Sequence, residues 1–279
     1  MVQSKTWNDA VERWLREQSH KASIHSDKSI INWLNAHLSG VPLNDINRAI
    51  VDAIHQKKLA TGVANGTVNR TLALLRAILF RAAHDWEWID STPKVRLLRE
   101  PTRRVRYLTH AQAIRLLHEL PEHLADMATF SLATGLRKTN VTRLEWSQVD
   151  MKRSLAWIHA DQAKSKKAIS VPLNPDAMRI LTKRGAMHQR FVFSYKGAPI
   201  SQVSTAAWYK ALKRAGIQDF RWHDLRHTWA SWHVQSGTPL YVVQELGGWE
   251  SYEMVRRYAH LSAGHLAIFA NNLSSLMPL

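Results

Sequence analysis

The chain has 279 residues, 45% of them hydrophobic and 22% charged, a globular composition long enough for one large domain or two smaller ones. Lys and Arg number 38 against 22 Asp and Glu, a net charge of +16 spread over the whole length, which points to a polyanionic partner, most commonly nucleic acid. There is no cysteine, which excludes disulfides, thiol catalysis and thiolate zinc sites. No run of about eighteen apolar residues can span a membrane. The first thirty residues lack the apolar core of a signal peptide, so a soluble, cytoplasmic protein is expected.

Residues 1–98 read as a bundle of amphipathic helices. Trp7, Ala10, Val11, Trp14 and Leu15 recur at helical spacing, as do Ile30, Ile31, Trp33, Leu34 and Leu38, and then Ile46, Ala49, Ile50 and Ile54. A longer stripe follows Gly66, carried by Val68, Leu72, Leu75, Ile78, Leu79 and Ala82. Pro93 ends the bundle. Residues 99–107 read as an extended, basic linker. Arg99, Arg103, Arg104 and Arg106 surround Pro101 there, free either to lie along a phosphate backbone or to be solvated.

The second domain, 108–279, opens on Thr109 and Gln112, spaced as a capping box ahead of "AIRLLHEL". A further helix stops at Gly135. The period then changes: "SLAWI" and "AISVPL" are short, apolar and β-rich, and predict a small antiparallel hairpin. Helices resume at Asn174 and Pro175, again near 204–215, and almost continuously from 223 to the end. The expected fold is mainly α with a small antiparallel β-sheet (α+β).

Within that frame several residues invite a chemical reading. Arg137 follows a Thr-Gly stop, where an arginine fork can meet a phosphate or simply pair with a carboxylate. His223 and Arg226 are three apart, which puts them on one helix face. His223 and His227 have the spacing of two zinc ligands, but no HExxH glutamate, cysteine or third ligand accompanies them. Satisfied helix histidines are the ordinary reading, and no metal or cofactor is expected. Lys164, Lys166 and Lys167 lie in the polar segment before the second strand, as solvated turn lysines or as donors of charge or a proton. In "LGGWESYEMVRRYAHL", Gly247 and Gly248 break a helix, Trp249 follows, and Ser251 starts the next helix, which carries Tyr258. That run reads equally as a DNA-reading helix-turn-helix, with Tyr258 a packed aromatic one turn after Met254.

Together, in this order, these pieces resemble the tyrosine recombinase (phage integrase) family over nearly the whole chain. The family pattern is an Arg after Thr-Gly, a Lys in a β-turn, His-x-x-Arg, a His or Trp after Leu-Gly, and a Tyr near the C-terminus. It falls here on Arg137, Lys164, His223, Arg226, Trp249 and Tyr258. Lys164 is preferred over Lys166 and Lys167 by its distance to the "VPL" that follows.

The resemblance implies a helical core-type DNA-binding domain, the linker, and a catalytic domain that cuts and rejoins DNA through a covalent 3′-phosphotyrosyl link. Arg137 and Arg226 would clamp the scissile phosphate, and His223 would assist proton transfer or hold the phosphate. Lys164 would protonate the leaving oxygen. Trp249 would donate its indole N–H or pack the clamp, and Tyr258 would attack. A phenol of pKa about 10 is only about 0.1% ionised at neutral pH, so the site has to manage its proton.

The implied partners are double-stranded DNA, a homotetramer with a dimer per site, and accessory DNA-bending or directionality factors, with no membrane. The function expected is integration or excision of a prophage or similar element. A Xer-like chromosome-dimer resolvase and an inactive DNA-binding relative are the alternatives. Two positions depart from the commoner pattern: Asn140 stands where many members carry a carboxylate, and Trp249 where His is more frequent. Arg256 and Arg257 read as facing DNA or solvent. The terminal "LAIFANNLSSLMPL" is apolar at helical spacing and would pack in its own domain or in a neighbouring subunit. Because the helical domain begins almost at Met1, with no arm-binding domain before it, the chain reads as a simple recombinase or, by preference, as a fragment of a longer integrase.

Overall fold

The computed structural model describes residues 4–101, 105–163, 167–185 and 187–262. The chain divides into two compact units, Met1–Arg103 and Arg104–Leu279.

The first unit contains α1 (Trp7–Glu17), α2 (Ile24–Leu38), α3 (Arg48–Ala60) and α4 (Asn65–His84). Thr6 and Asp9 close a capping box at the start of α1, and the Asn47 side chain accepts from Ile50 N to start α3. Ile46 therefore precedes α3 rather than belonging to it. Trp7, Leu34, Leu38, Leu72, Leu75 and Ile78 are sealed in the core. The large indoles are buried without orphaning their N–H groups: Trp7 donates to Asn35 Oδ1 at 2.8 Å, and Trp14 to Asp27 Oδ2 at 3.3 Å. The chain after α4 is pinned back onto that helix by Asn69, which accepts from Leu98 N and donates to Leu98 O and Glu100 Oε1.

The second unit opens with α5 (His110–Glu119), α6 (Glu122–Thr134) and α7 (Lys138–Thr142). A three-stranded antiparallel sheet follows, made of β1 (Val149–Asp150), β2 (Leu155–Ile158) and β3 (Ile169–Pro172) in that order. Then come α8 (Pro175–Arg184), the hairpin β4 (Ser194–Tyr195) and β5 (Ala198–Pro199), α9 (Ala206–Arg214), α10 (Asp224–Gln235), α11 (Leu240–Gly247), α12 (Tyr252–Arg256) and a 3₁₀ turn, Ala259–Ser262. The unit is mainly α with small antiparallel sheets. Ala156, Ile158, Ile169 and Val171 alternate inward from the paired strands β2 and β3. Arg184 is buried beside Asp126 and donates to Ser194 O, tying α8 to α6 and to the second hairpin.

The predicted capping box at Thr109, the left-handed stop at Gly135 and the Asn174 cap with Pro175 at the first helical position all form. The helices expected almost continuously from 223 onward form as short pieces, with the break expected at Gly247–Gly248 in place. Gly237, at φ 85°, and Pro239 separate α10 from α11, and Gly248, at φ 60°, ends α11. The Ser251 side chain makes no cap bond, its residue serving only as the extended step into α12. Of the basic segment, Arg103 and Arg104 lie outside the described residues, as do Lys164, Lys166 and the terminal 263–279. Arg99 is exposed and its carbonyl accepts from Asn65. Arg106 donates to Gln218 O, and the next turn of chain is fixed to α10: Leu108 N donates to Thr228 Oγ1 and Trp232 Nε1 to Leu108 O.

Candidate active site

Two helix ends and one helix side converge in the second unit. α6 stops at Gly135 and α11 at Gly247–Gly248, and both stops turn main-chain carbonyls toward the same place. Glycine is required at each. Gly135 has φ 64°, and a β-carbon there would collide with the Trp229 ring; Gly248 has φ 60° and lies against Ile169. Helix C-termini carry partial negative charge and unpaired carbonyls, so each of these ends suits a cation.

Two arginines take them. Arg226, on α10 and only 3% exposed, donates to Gly135 O and to Gly247 O, both at 2.6 Å. Its guanidinium lies 3.9 Å from the centroid of the Trp249 ring. Arg137, the residue that starts α7, donates through Nη2 to Gly248 O at 3.3 Å, while its buried Nη1 has no hydrogen-bond partner. Among the described residues neither arginine has a carboxylate partner. Burial, and for Arg226 the neighbouring Arg137 charge, weaken both as cations; Arg226 is pushed down to about 9.

Tyr258 lies two residues past the end of α12, not on the helix where it is expected, and is completely buried among Trp229, Ala230, Val234, Val243 and Val255. Met254, the packing neighbour suggested by spacing, is exposed instead. The Trp249 ring lies 6.0 Å from the Tyr258 ring and 6.0 Å from that of Trp229, so one indole connects the arginine clamp to the tyrosine. Trp249 thus meets Arg226 through its ring face. The tyrosine hydroxyl sits 2.5 Å from His227 Nδ1. Burial raises the phenol to about 12, against the lowering effect of Arg226 and Arg257. His227 is lowered to about 4 by burial and by the charges of His223, Arg257 and Arg226.

The structure thus gathers Arg137, Arg226, Trp249 and Tyr258 from four separate stretches of sequence. His223 belongs to the same cluster at one remove. It is the exposed residue that begins α10, and its ring meets His227 edge-on at 5.0 Å rather than the tyrosine. Loss of surrounding water and the Arg226 charge keep it below its ordinary pKa. Lys164 lies outside the described residues, in the connection between β2 and β3. Arg256 and Arg257 are both exposed, Arg256 pairing with Glu253 at 3.3 Å and Arg257 acting electrostatically on both His227 and Tyr258. Asn140 is buried, with its amide nitrogen unpartnered.

The residue that sequence reasoning passed over is His227, weighed only as a metal ligand. Its signal was its place immediately after Arg226, one helical step around α10 and one full turn beyond His223. No group of three or more metal-ligating side chains occurs among the described residues, and no helix among them is long and apolar enough to cross a membrane.

Comparison with known proteins identifies the family. Residues 106–265 match the family model described as the phage integrase family. The chain is 40% identical to the integrase of Salmonella phage P22, over 97% of this chain and 80% of that one. Its fold is shared with the Tn1549 transposon integrase solved with a circular intermediate DNA (TM-score 0.78, 15% identity, 95% of this chain and 99% of that one). It is shared too with a lambda integrase tetramer bound to a Holliday junction (TM-score 0.78, 20% identity, 94% and 79%). With a family match over more than half its length and a phage relative aligned across nearly all of it, the chain belongs to the phage integrase family, the tyrosine recombinases that cut and rejoin DNA at specific sites.

Proposed function

We propose that this integrase cleaves DNA through Tyr258, forming a 3′-phosphotyrosyl link, with the scissile phosphate held by Arg137 and Arg226. The observation that carries this reading is the uncompensated pair of arginines. Among the described residues the buried Arg226 and half-buried Arg137 guanidiniums meet helix-end carbonyls and a ring face but no carboxylate, and the Nη1 group of Arg137 is unspent. A buried cation without a counter-ion is costly. A phosphodiester offers the missing anion, with two non-bridging oxygens matched to two forks. As the phosphorus becomes five-coordinate its charge grows, and fixed donors of this kind stabilise that state more than the ground state.

Trp249 holds the Arg226 guanidinium flat and spaces it from the tyrosine. His223, exposed at the start of α10, is the group on this face most open to an incoming phosphate oxygen. Lys164 is assigned the protonation of the leaving 5′ oxygen on its sequence position alone. Tyr258 and Arg226 are both buried in the resting chain, so the DNA has to part their cover before attack. Rejoining follows when a 5′-hydroxyl of another strand attacks the phosphotyrosyl bond, which conserves the bond energy and exchanges strands.

The substrate is double-stranded DNA carrying the ends of a prophage or similar mobile element. The first unit, 1–98, is assigned core-site binding, with Arg99, Arg103, Arg104 and Arg106 along the backbone between the two units. A tetramer with a dimer on each site is the working assembly, assisted by DNA-bending or directionality factors in a bacterial cytoplasm. The lambda integrase tetramer on a Holliday junction supports that assembly by fold alone.

A nicked suicide duplex carrying the crossover sequence, incubated without metal and run on a denaturing gel, tests the reading. A covalent protein–DNA band is expected, and it disappears in Tyr258→Phe. Absence of the band with a verified site, or its survival in Tyr258→Phe, would overturn the assignment.

A further inference from the structure

We propose that His227 is the proton acceptor for the Tyr258 hydroxyl as it attacks the DNA phosphate, a role that rests on Tyr258 being the nucleophile. Tyr258 Oη and His227 Nδ1 are 2.5 Å apart, the short end of hydrogen-bond distances and within direct proton-transfer reach. A phenol has one proton to give, and a neutral imidazole protonated at Nε2 offers one acceptor lone pair, at Nδ1. The groups facing His227 are the His223 ring on its own helix, the Arg226 guanidinium beside it, Arg257 beyond α12, and Tyr258 itself. Among the described residues the one nearby carboxylate, Asp224, acts on His223 and Tyr258 rather than on His227, so no anionic partner holds a proton on the imidazole in advance and the lone pair stays open.

The acceptor is also rigidly placed with respect to the phosphate. His227 follows Arg226 directly on α10. The helix that anchors the clamp to Gly135 O and Gly247 O therefore also fixes the distance from clamp to base. His223 forms no such bond to the tyrosine and is exposed on the phosphate side, so the two histidines divide between them the tasks first expected of one.

The Oη–P bond forms while the P–O5′ bond breaks. The phenol proton passes to Nδ1, giving an imidazolium that keeps its Nε2 proton, and the departing O5′ takes a proton from the general acid or from water. While five-coordinate, the phosphate carries more negative charge than either diester and stabilises the forming imidazolium against the surrounding arginines. On religation the tyrosine oxygen recovers the proton from Nδ1 as it leaves.

The test uses the full chain, the nicked duplex bearing the crossover sequence recovered from DNA flanking the coding sequence, and the variant His227→Asn. The asparagine Oδ1 can accept a hydrogen bond but not hold a proton. DNA binding is expected to stay within about twofold, while single-turnover formation of the covalent complex slows by about 10²–10⁴-fold. Between pH 6 and 9 the variant's rate should climb with hydroxide, and the wild type's should stay nearly flat. A duplicate substrate with sulfur at the bridging 5′ position, whose leaving group needs no proton, should not rescue the variant; such rescue would instead mark loss of a general acid. Cleavage within about threefold of wild type, or faster, would make the contact a resting latch and overturn the proposal, as would rescue by the sulfur substrate. His227→Gln repeats the measurement should the asparagine variant lose DNA binding. Tyr258→Phe run alongside separates the two readings: a covalent band persisting there dismisses the nucleophile itself, whatever His227 does.

Discussion

Arg226 carries a full charge in a place that offers it two carbonyls and an indole face but no carboxylate. Its fork spans both carbonyls at once, which one ammonium cannot do. The desolvation that brings the arginine down to about 9 would act on a lysine whose ordinary pKa is only about 10.4, drawing its titration toward neutral pH. Arg226→Lys should therefore lose at least about 10²-fold in single-turnover cleavage, the scale of losing one transition-state donor. Its DNA binding, measured by gel shift, should change only a few-fold. His227 makes a second prediction, on stability. Its folded-state pKa of about 4 lies below the ordinary 6.5, so the unfolded chain takes up the proton first as pH falls. The stability tied to the neutral ring is complete above about 6.5 and is lost as pH drops toward 4. Urea unfolding at pH 7.5 and 4.5 should show wild type losing roughly 2–3 kcal/mol more than His227→Asn over that interval. Arg137 and Trp249 were legible at this scale because each follows a glycine stop, and His223 with Arg226 because a spacing of three shares a helix face. His227 was not, because its importance is a contact with a residue 31 positions away.

At the scale of elements, the site depends on where helices end. Gly135→Ala adds a β-carbon at φ 64° against the Trp229 ring, whereas Gly216→Ala, at φ 68°, adds one in open space. The backbone penalty alone is about 1–2 kcal/mol. The control should therefore cost about that much, and Gly135→Ala about 2–4 kcal/mol in denaturant unfolding, since Trp229 must also move. Only the latter should impair cleavage, because Trp229 stacks on Trp249 and the Gly135 carbonyl anchors Arg226. Equal stability losses would mean the ring yields freely. Capping boxes and glycine stops made most helix boundaries readable, since they are local bonds written in three or four residues. The β4–β5 hairpin was missed because two-residue strands are too short for any alternation to register. The break at Gly247–Gly248 was readable from its glycine pair, whereas the end of α12 at Arg256, two residues short of Tyr258, has no glycine or proline to mark it.

For the whole molecule, the two units bury cores with no residue in common, and every described member of the clamp lies in the second. A fragment of residues 104–279 should therefore unfold cooperatively by itself and keep the arginine and tyrosine geometry. What it lacks is the exposed basic surface of the first unit, including Arg70, Arg76, Lys94 and Arg96. On the proposed core-site role, part of the net charge of +16 would act on DNA from outside the chemistry. Each phosphate that a lysine or arginine neutralises releases condensed counterions, and contributes about 0.9 to the slope of log affinity against log salt. Four contacts from the first unit would make the full chain's slope steeper than the fragment's by about 3.6. Fluorescence anisotropy with one duplex, titrated from 50 to 200 mM salt, measures both slopes. A steeper full-chain slope, with cleavage by the fragment restored at high DNA concentration, would assign the first unit to holding the site and the second to cutting it. Parallel slopes would remove the first unit from the DNA contact and leave the second to carry both tasks.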